Sequence, residues 1–283
     1  MGAELLANRS FNSDTEKDDV LSTTPDEFLK GLERMDSDLP FPAVTSPVPP
    51  DSRLVVHTDP RSAGADRFRL VQIRLKQLQA SKRLKSILIT SPMPGDGKST
   101  VALNLAAALS EKGKRAVLLL EADVYRPSLA QKLGLNPWPG LTECFDNKGD
   151  PMLAIRRIDP LGFYLLPAGT PSQGGSILQF AFTSQFMEGL AATFRWILID
   201  SPPTTPMAEI LALKAQADAT LLVARAGKTP REAIEDATRT LGREHILGII
   251  LNGVEGLDRV YSKYYGYVEP ERRAKPPWYS IKS

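Results

Sequence analysis

From about residue 65 onward, short uninterrupted apolar runs alternate with longer stretches of helical period. The runs are SILIT (86–90), AVLLLE (116–121), FYLLPA (163–168), WILID (196–200), ATLLVARA (219–226) and ILGIIL (246–251). Near-continuous apolar character over five to eight residues predicts strands buried on both faces. Between them lie helix candidates at 66–79, 101–112 (ended by Gly113), 176–194 and 232–241 (ended by Gly242). The last begins near Pro230 with a capping box, Thr229 and Glu232. Strands alternating with helices predict one α/β domain, a doubly wound and mostly parallel sheet, over residues 61–255.

The flanks read differently. Residues 1–60 carry twelve acidic and five basic side chains and seven of the 23 prolines, several of them in LPFPAVTSPVPP, which predicts a disordered or linker-like segment. Within it, 24–35 has the makings of a short helix, with Thr24 as cap, Pro25 in the first turn and Phe28, Leu29, Leu32 and Met35 on one face. Residues 256–283 form a tail holding five of the seven tyrosines, Tyr261, Tyr264, Tyr265, Tyr267 and Tyr279, among Ser, Lys, Gly, Glu and Pro, where no packed element is evident. From residue 258 the tail carries six basic and three acidic side chains.

Composition narrows the classes. Lys+Arg 35 against Asp+Glu 33 carries no signal for a dedicated nucleic-acid binder. One cysteine, Cys144, and two histidines, His57 and His245, exclude an internal disulfide and a Cys/His metal cluster, which suits a reducing compartment. No run approaches the roughly 18 to 20 apolar residues of a membrane span, so the expected location is the cytoplasm.

The chemistry is concentrated in SPMPGDGKST (91–100), which follows the strand at 86–90 and opens a helix. Gly95 and Gly97 allow backbone N–H groups to turn around phosphate oxygens, the helix N-terminus adds its positive end, Lys98 reaches the terminal phosphates and Ser99 can ligate Mg²⁺. Pro94, Gly95, Asp96, Gly97, Lys98, Ser99 and Thr100 are the candidate nucleotide-binding residues. Pro92 stands where the first consensus glycine is expected. Two acidic sites end apolar strands, Glu121 and Asp123 in LLLEADVYRP and Asp200 in ILIDSPP, where open α/β sheets place their ligands. Ser99, Asp123 and Asp200 suit a magnesium site.

These three stretches, SPMPGDGKSTVALNLA, VLLLEADVYRPSL and WILIDSPP, resemble the Walker A, second acidic (A′) and Walker B motifs of bacterial protein-tyrosine kinases of the capsule and exopolysaccharide family. The likeness runs over about residues 64–267 and takes in GLTE near 140, LLPAGTP near 165 and LNGV at 251–254. It implies a fold related to the MinD and ParA ATPases, ATP and Mg²⁺ as cofactors, and autophosphorylation in trans of Tyr261, Tyr264, Tyr265 and Tyr267. It further implies Lys98, Glu121, Asp123 and Asp200 as the catalytic set, with Glu121 beside the attacking tyrosine hydroxyl, and Asn252 at the adenine edge. Implied partners are a transmembrane polysaccharide co-polymerase or adaptor that recruits the chain to the inner face of the membrane, a second copy of the chain, and a cognate tyrosine phosphatase.

Four departures qualify the likeness. Glu121 stands where the family usually has Asp, Tyr125 replaces a common basic residue, and Gly174-Gly175 replaces a frequent Asn-Pro. The family's oligomerisation motif reads Asp66, Arg69, Gln72, on a helix expected to present Phe68, Val71, Leu75 and Leu78 beside Arg67, Arg69, Arg74 and Lys76 at a protomer interface. Two other functions stay open: a MinD- or ParA-like ATPase switch, whose signature lysine is here Met93, and a nucleotide-binding pseudokinase scaffold.

Overall fold

The computed structural model describes residues 39–254 apart from 112, 115, 138, 147–148, 172–182 and 206–208. Among the described residues the strands are β1 (Ala43–Thr45), β2 (Ser86–Thr90), β3 (Val117–Glu121), β4 (Arg156–Asp159), β5 (Phe163–Leu166), β6 (Trp196–Asp200), β7 (Ala219–Arg225) and β8 (Ile246–Asn252). They form one sheet in the order β1-β4-β5-β3-β6-β2-β7-β8. Every neighbouring pair is parallel except β4 with β5. The central strands β2, β3 and β6 are buried at every position. Leu118, Leu120, Ile197 and Ile199 point into one core, Val117, Leu119, Trp196 and Leu198 into the other. This two-sided burial is why their sequences are apolar runs rather than alternations.

The helices are α1 (Val55–Thr58), α2 (Ala63–Lys82), α3 (Lys98–Ser110), α4 (Leu129–Lys132), α5 (Leu141–Asp146), α6 (Ser184–Thr193), α7 (Glu209–Ala215) and α8 (Arg231–Leu241). Helix α3 is apolar nearly all round, and ten of its residues, from Ser99 to Ser110, are buried. A helix of that kind belongs inside a domain, here against β2, β3 and β6. Its first residue is Lys98, so the phosphate-loop residues sit at its N-terminus.

Several expectations are corrected. Residues 39–60, read as linker, belong to the fold. Phe41 stacks on Phe194 at 5.7 Å and meets the Tyr164 edge, β1 pairs with β4, and Leu54 is fully buried. Asn104 of α3 fixes the segment, accepting from Val56 N (3.2 Å) and donating to Arg53 O (2.9 Å). The segment has too few apolar residues to build a core of its own, so it borrows the domain's. The candidate helix at 24–35 lies outside the described residues.

The apolar stripe of α2, expected at a protomer interface, packs on the chain's own core. Leu75 is buried, and Phe68, Val71 and Leu78 pack against the chain's own second core. Its exposed apolar residues are Leu70 and Ile73 instead. Arg69 pairs with Asp66 and Lys76 with Glu111.

Helix α6 starts at Ser184, with the Thr183 side chain accepting from Phe186 N, so no helix runs through 183 from the expected start at 176. Residues 174–175 lie outside the described residues. The expected capping box of α8 is absent. Pro230 occupies the cap position and has no side-chain atom that could accept a bond, while the Thr229 hydroxyl is committed to Asp96 of the phosphate loop.

Candidate active site

The sheet order assembles the site. β6 comes late in the chain yet inserts between β3 and β2, so the acidic ends of β3 and β6 stand beside the loop that follows β2. Glu121 and Asp200 are partners in register, and Ile89 pairs with Asp200 on the other side. The three stretches read from sequence therefore meet at one edge, the carboxyl end of the central strands, where α/β folds bind ligands.

The loop from Ser91 to Gly97 turns on Gly95 (φ 86°) and Gly97 (φ 98°), left-handed conformations in which a side chain is strained. At Gly97 a Cβ would also lie 2.1 Å from Asn252 Nδ2. Asp96 is the loop's internal brace. Its Oδ2 accepts from Met93 N (3.0 Å) and its Oδ1 from the Thr229 hydroxyl (2.7 Å). Asp96 O accepts from Asn252 Nδ2 (2.9 Å), and Gly95 O from Arg225 Nη1 (3.2 Å). From the other side Thr204 N donates to Ser91 O (2.8 Å) and the Thr90 hydroxyl to Pro202 O (2.8 Å). The cradle is thus held from β7, β8 and the loop after β6. Sequence reasoning missed Thr229 and Arg225; the signal available was their position just past an apolar strand.

Lys98 stands between two carboxylates. Its Nζ lies 2.7 Å from Asp123 Oδ2, 4.0 Å from Asp200 Oδ1 and 3.4 Å from Ser99 Oγ. Burial pulls the Lys98 ammonium down, but Asp200 and Asp123 outweigh it and hold it above the ordinary lysine range. Asp123 is tied further, its Oδ1 accepting from Arg126 N (3.1 Å).

Asp200 is wholly buried, and no hydrogen bond of ordinary geometry reaches either oxygen. Burial raises its carboxyl, with Lys98 and then the neighbouring Ser99 side chain opposing. A buried charge without donors is costly, and a fold that keeps one beside a lysine and Ser99 leaves a position for a cation and its water. The residues fit magnesium on that observation.

Glu121 departs from expectation. Its carboxylate, also wholly buried, is spent on backbone donors: Oε1 accepts from Ser128 N (2.5 Å) and Leu129 N (2.7 Å), Oε2 from Ala168 N (3.2 Å). Burial raises it to about 7, against the pull of the Leu129 and Ser128 N–H groups. The residue expected beside an attacking hydroxyl is turned to the opening turn of α4 instead. Asn252 likewise gives its amide N–H to Asp96 O, which can only accept, so Oδ1 is the group left for a ligand. The four tail tyrosines lie outside the described residues.

A glycine-turned phosphate cradle at the head of a buried helix, a lysine at its apex and a donorless aspartate on the neighbouring strand define a P-loop nucleotide-binding protein. Comparison with known proteins agrees: the ParA family model described as NUBPL iron-transfer P-loop NTPase matches residues 83–254, and the chain belongs to that family. Several of its sequence relatives are bacterial proteins named tyrosine-protein kinase. It is 28% identical over 216 residues to tyrosine-protein kinase YwqD of Bacillus subtilis, covering 75% of this chain and 91% of that one. It is 30% identical over 253 residues to the succinoglycan biosynthesis transport protein ExoP of Rhizobium meliloti, covering 82% of this chain but 31% of that longer protein. Among solved structures it resembles the BceF tyrosine kinase domain, with a TM-score of 0.63 and 25% identity over 82% of this chain and 98% of that one.

Proposed function

We propose that the chain is an ATP- and magnesium-dependent protein-tyrosine kinase that phosphorylates Tyr261, Tyr264, Tyr265 and Tyr267 on the tail of a second copy and so regulates polysaccharide synthesis or export. The observation that carries the reading is the donorless, buried Asp200 facing Lys98 across the phosphate loop, in a chain whose relatives bear the name tyrosine-protein kinase. The N–H groups of residues 95–100 would cradle the phosphates, with Pro94 shaping the loop, Lys98 would meet the terminal ones, and Asn252 Oδ1 would accept from the exocyclic amine of adenine. Ser99, Asp123 and Asp200 would hold Mg²⁺, which supplies charge neutralisation across the transferring phosphates. Lys98, held at 2.7 Å from Asp123, would supply positive charge to the phosphates when they bind. Positioning and electrostatics are the whole of what such a site must provide.

Tail phosphorylation supplies the switch. Each phosphate adds about −1.5 to −2 charges, so four reverse the tail's basic sign and weaken its attraction to the carboxylate-lined edge. Among the described residues no helix is long and apolar enough to cross a membrane, and the reading has a membrane-spanning adaptor bring the cytoplasmic chain to the inner face, with a phosphatase resetting the tail. The name of the longer Rhizobium relative, a transport protein, supports the link to polysaccharide export.

An iron-transfer role, named in the family description, finds little support: a single cysteine per chain gives a dimer two of the four thiolates a cluster needs. The ATPase-switch reading finds less still, since Met93 replaces its signature lysine.

Incubating the chain with Mg-ATP and an adaptor fragment, followed by peptide mass spectrometry, tests the kinase reading. A Lys98→Met chain mixed with a tail-less active one tests transfer between copies. Phosphate on the four tail tyrosines is expected; its absence from all four, under conditions where ATP binds, removes the kinase and leaves an ATPase scaffold.

A further inference from the structure

We infer that Glu121 is a positioning residue that acts through Asp123, and that it takes no proton from the substrate; the inference rests on the kinase reading for its rate consequence alone. Glu121 and Ser128 are the two ends of a loop, residues 122–127, that leaves β3 and enters α4. The Glu121 carboxylate closes that loop by accepting from Ser128 N and Leu129 N. Inside it stands Asp123, whose Oδ2 meets Lys98 and whose Oδ1 accepts from Arg126 N within the same loop. The clasp therefore fixes the span that carries Lys98's closest partner.

The same carboxylate ties the loop to a second, immobilised rim. Its Oε2 accepts from Ala168 N, in the turn after β5. That turn is pinned from its far side by Glu143, which accepts from Gly140 N (2.8 Å), Thr170 N (2.9 Å) and the Thr170 hydroxyl (2.5 Å). Leu141 N donates to Pro167 O and Thr142 N to Ala168 O, each at 2.9 Å. Neither glycine of the junction takes a side chain without strain: a Cβ on Gly140 would lie 2.3 Å from Gly169 N, and Gly169 holds the left-handed φ of 88°.

Reach explains the residue type. Glu121 is the last residue of β3, and its three donors lie around the far end of its side chain. Withdrawn by one methylene, a carboxylate cannot meet two N–H groups of α4 and one of the 168 turn together. A glutamine keeps the length and one oxygen for the α4 pair, losing the Ala168 bond. A general base would show the opposite ranking, since an amide accepts no proton.

The test compares Glu121→Gln with Glu121→Asp in the full chain, with and without an activating adaptor fragment. The clasp expects Glu121→Gln to lose less than about 10-fold in tyrosine phosphorylation rate and Glu121→Asp to lose more than about 10-fold, each binding ATP within about 3-fold of the parent chain. A fall in kcat at unchanged ATP affinity separates misplacement of Asp123 from general damage. Independently of any kinase activity, amide exchange should show Ser128, Leu129 and Ala168 protected in the parent chain, all three faster in Glu121→Asp, and Ala168 alone faster in Glu121→Gln. Loss of the kinase activity of the parent chain leaves that second readout intact, so the two readings fail separately. Glu121→Asp as active as the parent, Glu121→Gln less active than Glu121→Asp, or unprotected amides in the parent overturns the inference.

Discussion

Glu121 and Asp200 end neighbouring strands, pair in register and are both fully buried carboxylates, yet their surroundings are opposite. Glu121 accepts three backbone N–H groups, whereas Asp200 accepts none of ordinary geometry and faces Lys98 at 4.0 Å. Burial raises both, but Glu121 has its charge answered by three backbone N–H groups, Asp200 by the Lys98 ammonium and the Ser99 side chain. A satisfied carboxylate is a structural part; an unsatisfied one beside a phosphate cradle waits for a ligand. Two acids that look equivalent in sequence thus divide into one held by backbone N–H groups and one facing Lys98, for which we propose a magnesium role, and the division is made by backbone donors that no motif names.

The contrast can be broken in stages. The largest effect is expected from Lys98→Met, which removes the cation between the acidic edge and the phosphates; ATP affinity by titration calorimetry should fall by about 100-fold or more, and turnover further. Asp200→Asn comes next, with turnover down about 10²- to 10³-fold. Because an amide beside Lys98 removes a buried, donorless charge, the same variant should melt no lower than the parent chain, a sign opposite to that of an ordinary core polar substitution.

Stability effects elsewhere are smaller. Asn104→Ala strands Val56 N and Arg53 O, groups that tie the 39–60 segment to α3, and should cost about 1–3 kcal/mol in denaturant unfolding. Thr229→Val removes the hydroxyl that donates to Asp96 and accepts from Arg225 N, and about 1 kcal/mol with a few-fold weaker ATP binding is expected.

How much of this was legible beforehand follows from what each signal measures. Five of the six apolar runs announce strands because both of their faces are buried; the sixth, β8, lies at the sheet edge with Ile249 and Leu251 exposed, so its expected two-sided burial is not found, while all six boundaries fall within two residues of the expected ones. β4 gave no such run: it reads Arg-Arg-Ile-Asp, with Ile158 its one buried residue, and it joins the sheet through backbone pairing. β1 sits in a proline-rich stretch whose few anchors, Phe41 and Leu54, are invisible to a rule that scores composition. The phosphate loop was legible because its glycines and lysine are demanded by backbone geometry. The bonds of Thr229 and Glu121 were not legible for a shared reason: local sequence shows what a side chain could bond nearby, as in a capping box or an A′ pair, while Thr229 reaches Asp96 and Glu121 reaches Ala168 as well as the start of α4.

The central claim is that Asp200, and not Glu121, is the acid that answers to magnesium. Titration calorimetry of ATP with and without Mg²⁺, on the parent chain, Asp200→Asn and Glu121→Gln, measures it without requiring turnover. The expected result is a magnesium-dependent gain in ATP affinity that Glu121→Gln retains and Asp200→Asn loses. The gain surviving in Asp200→Asn and vanishing in Glu121→Gln would contradict the account.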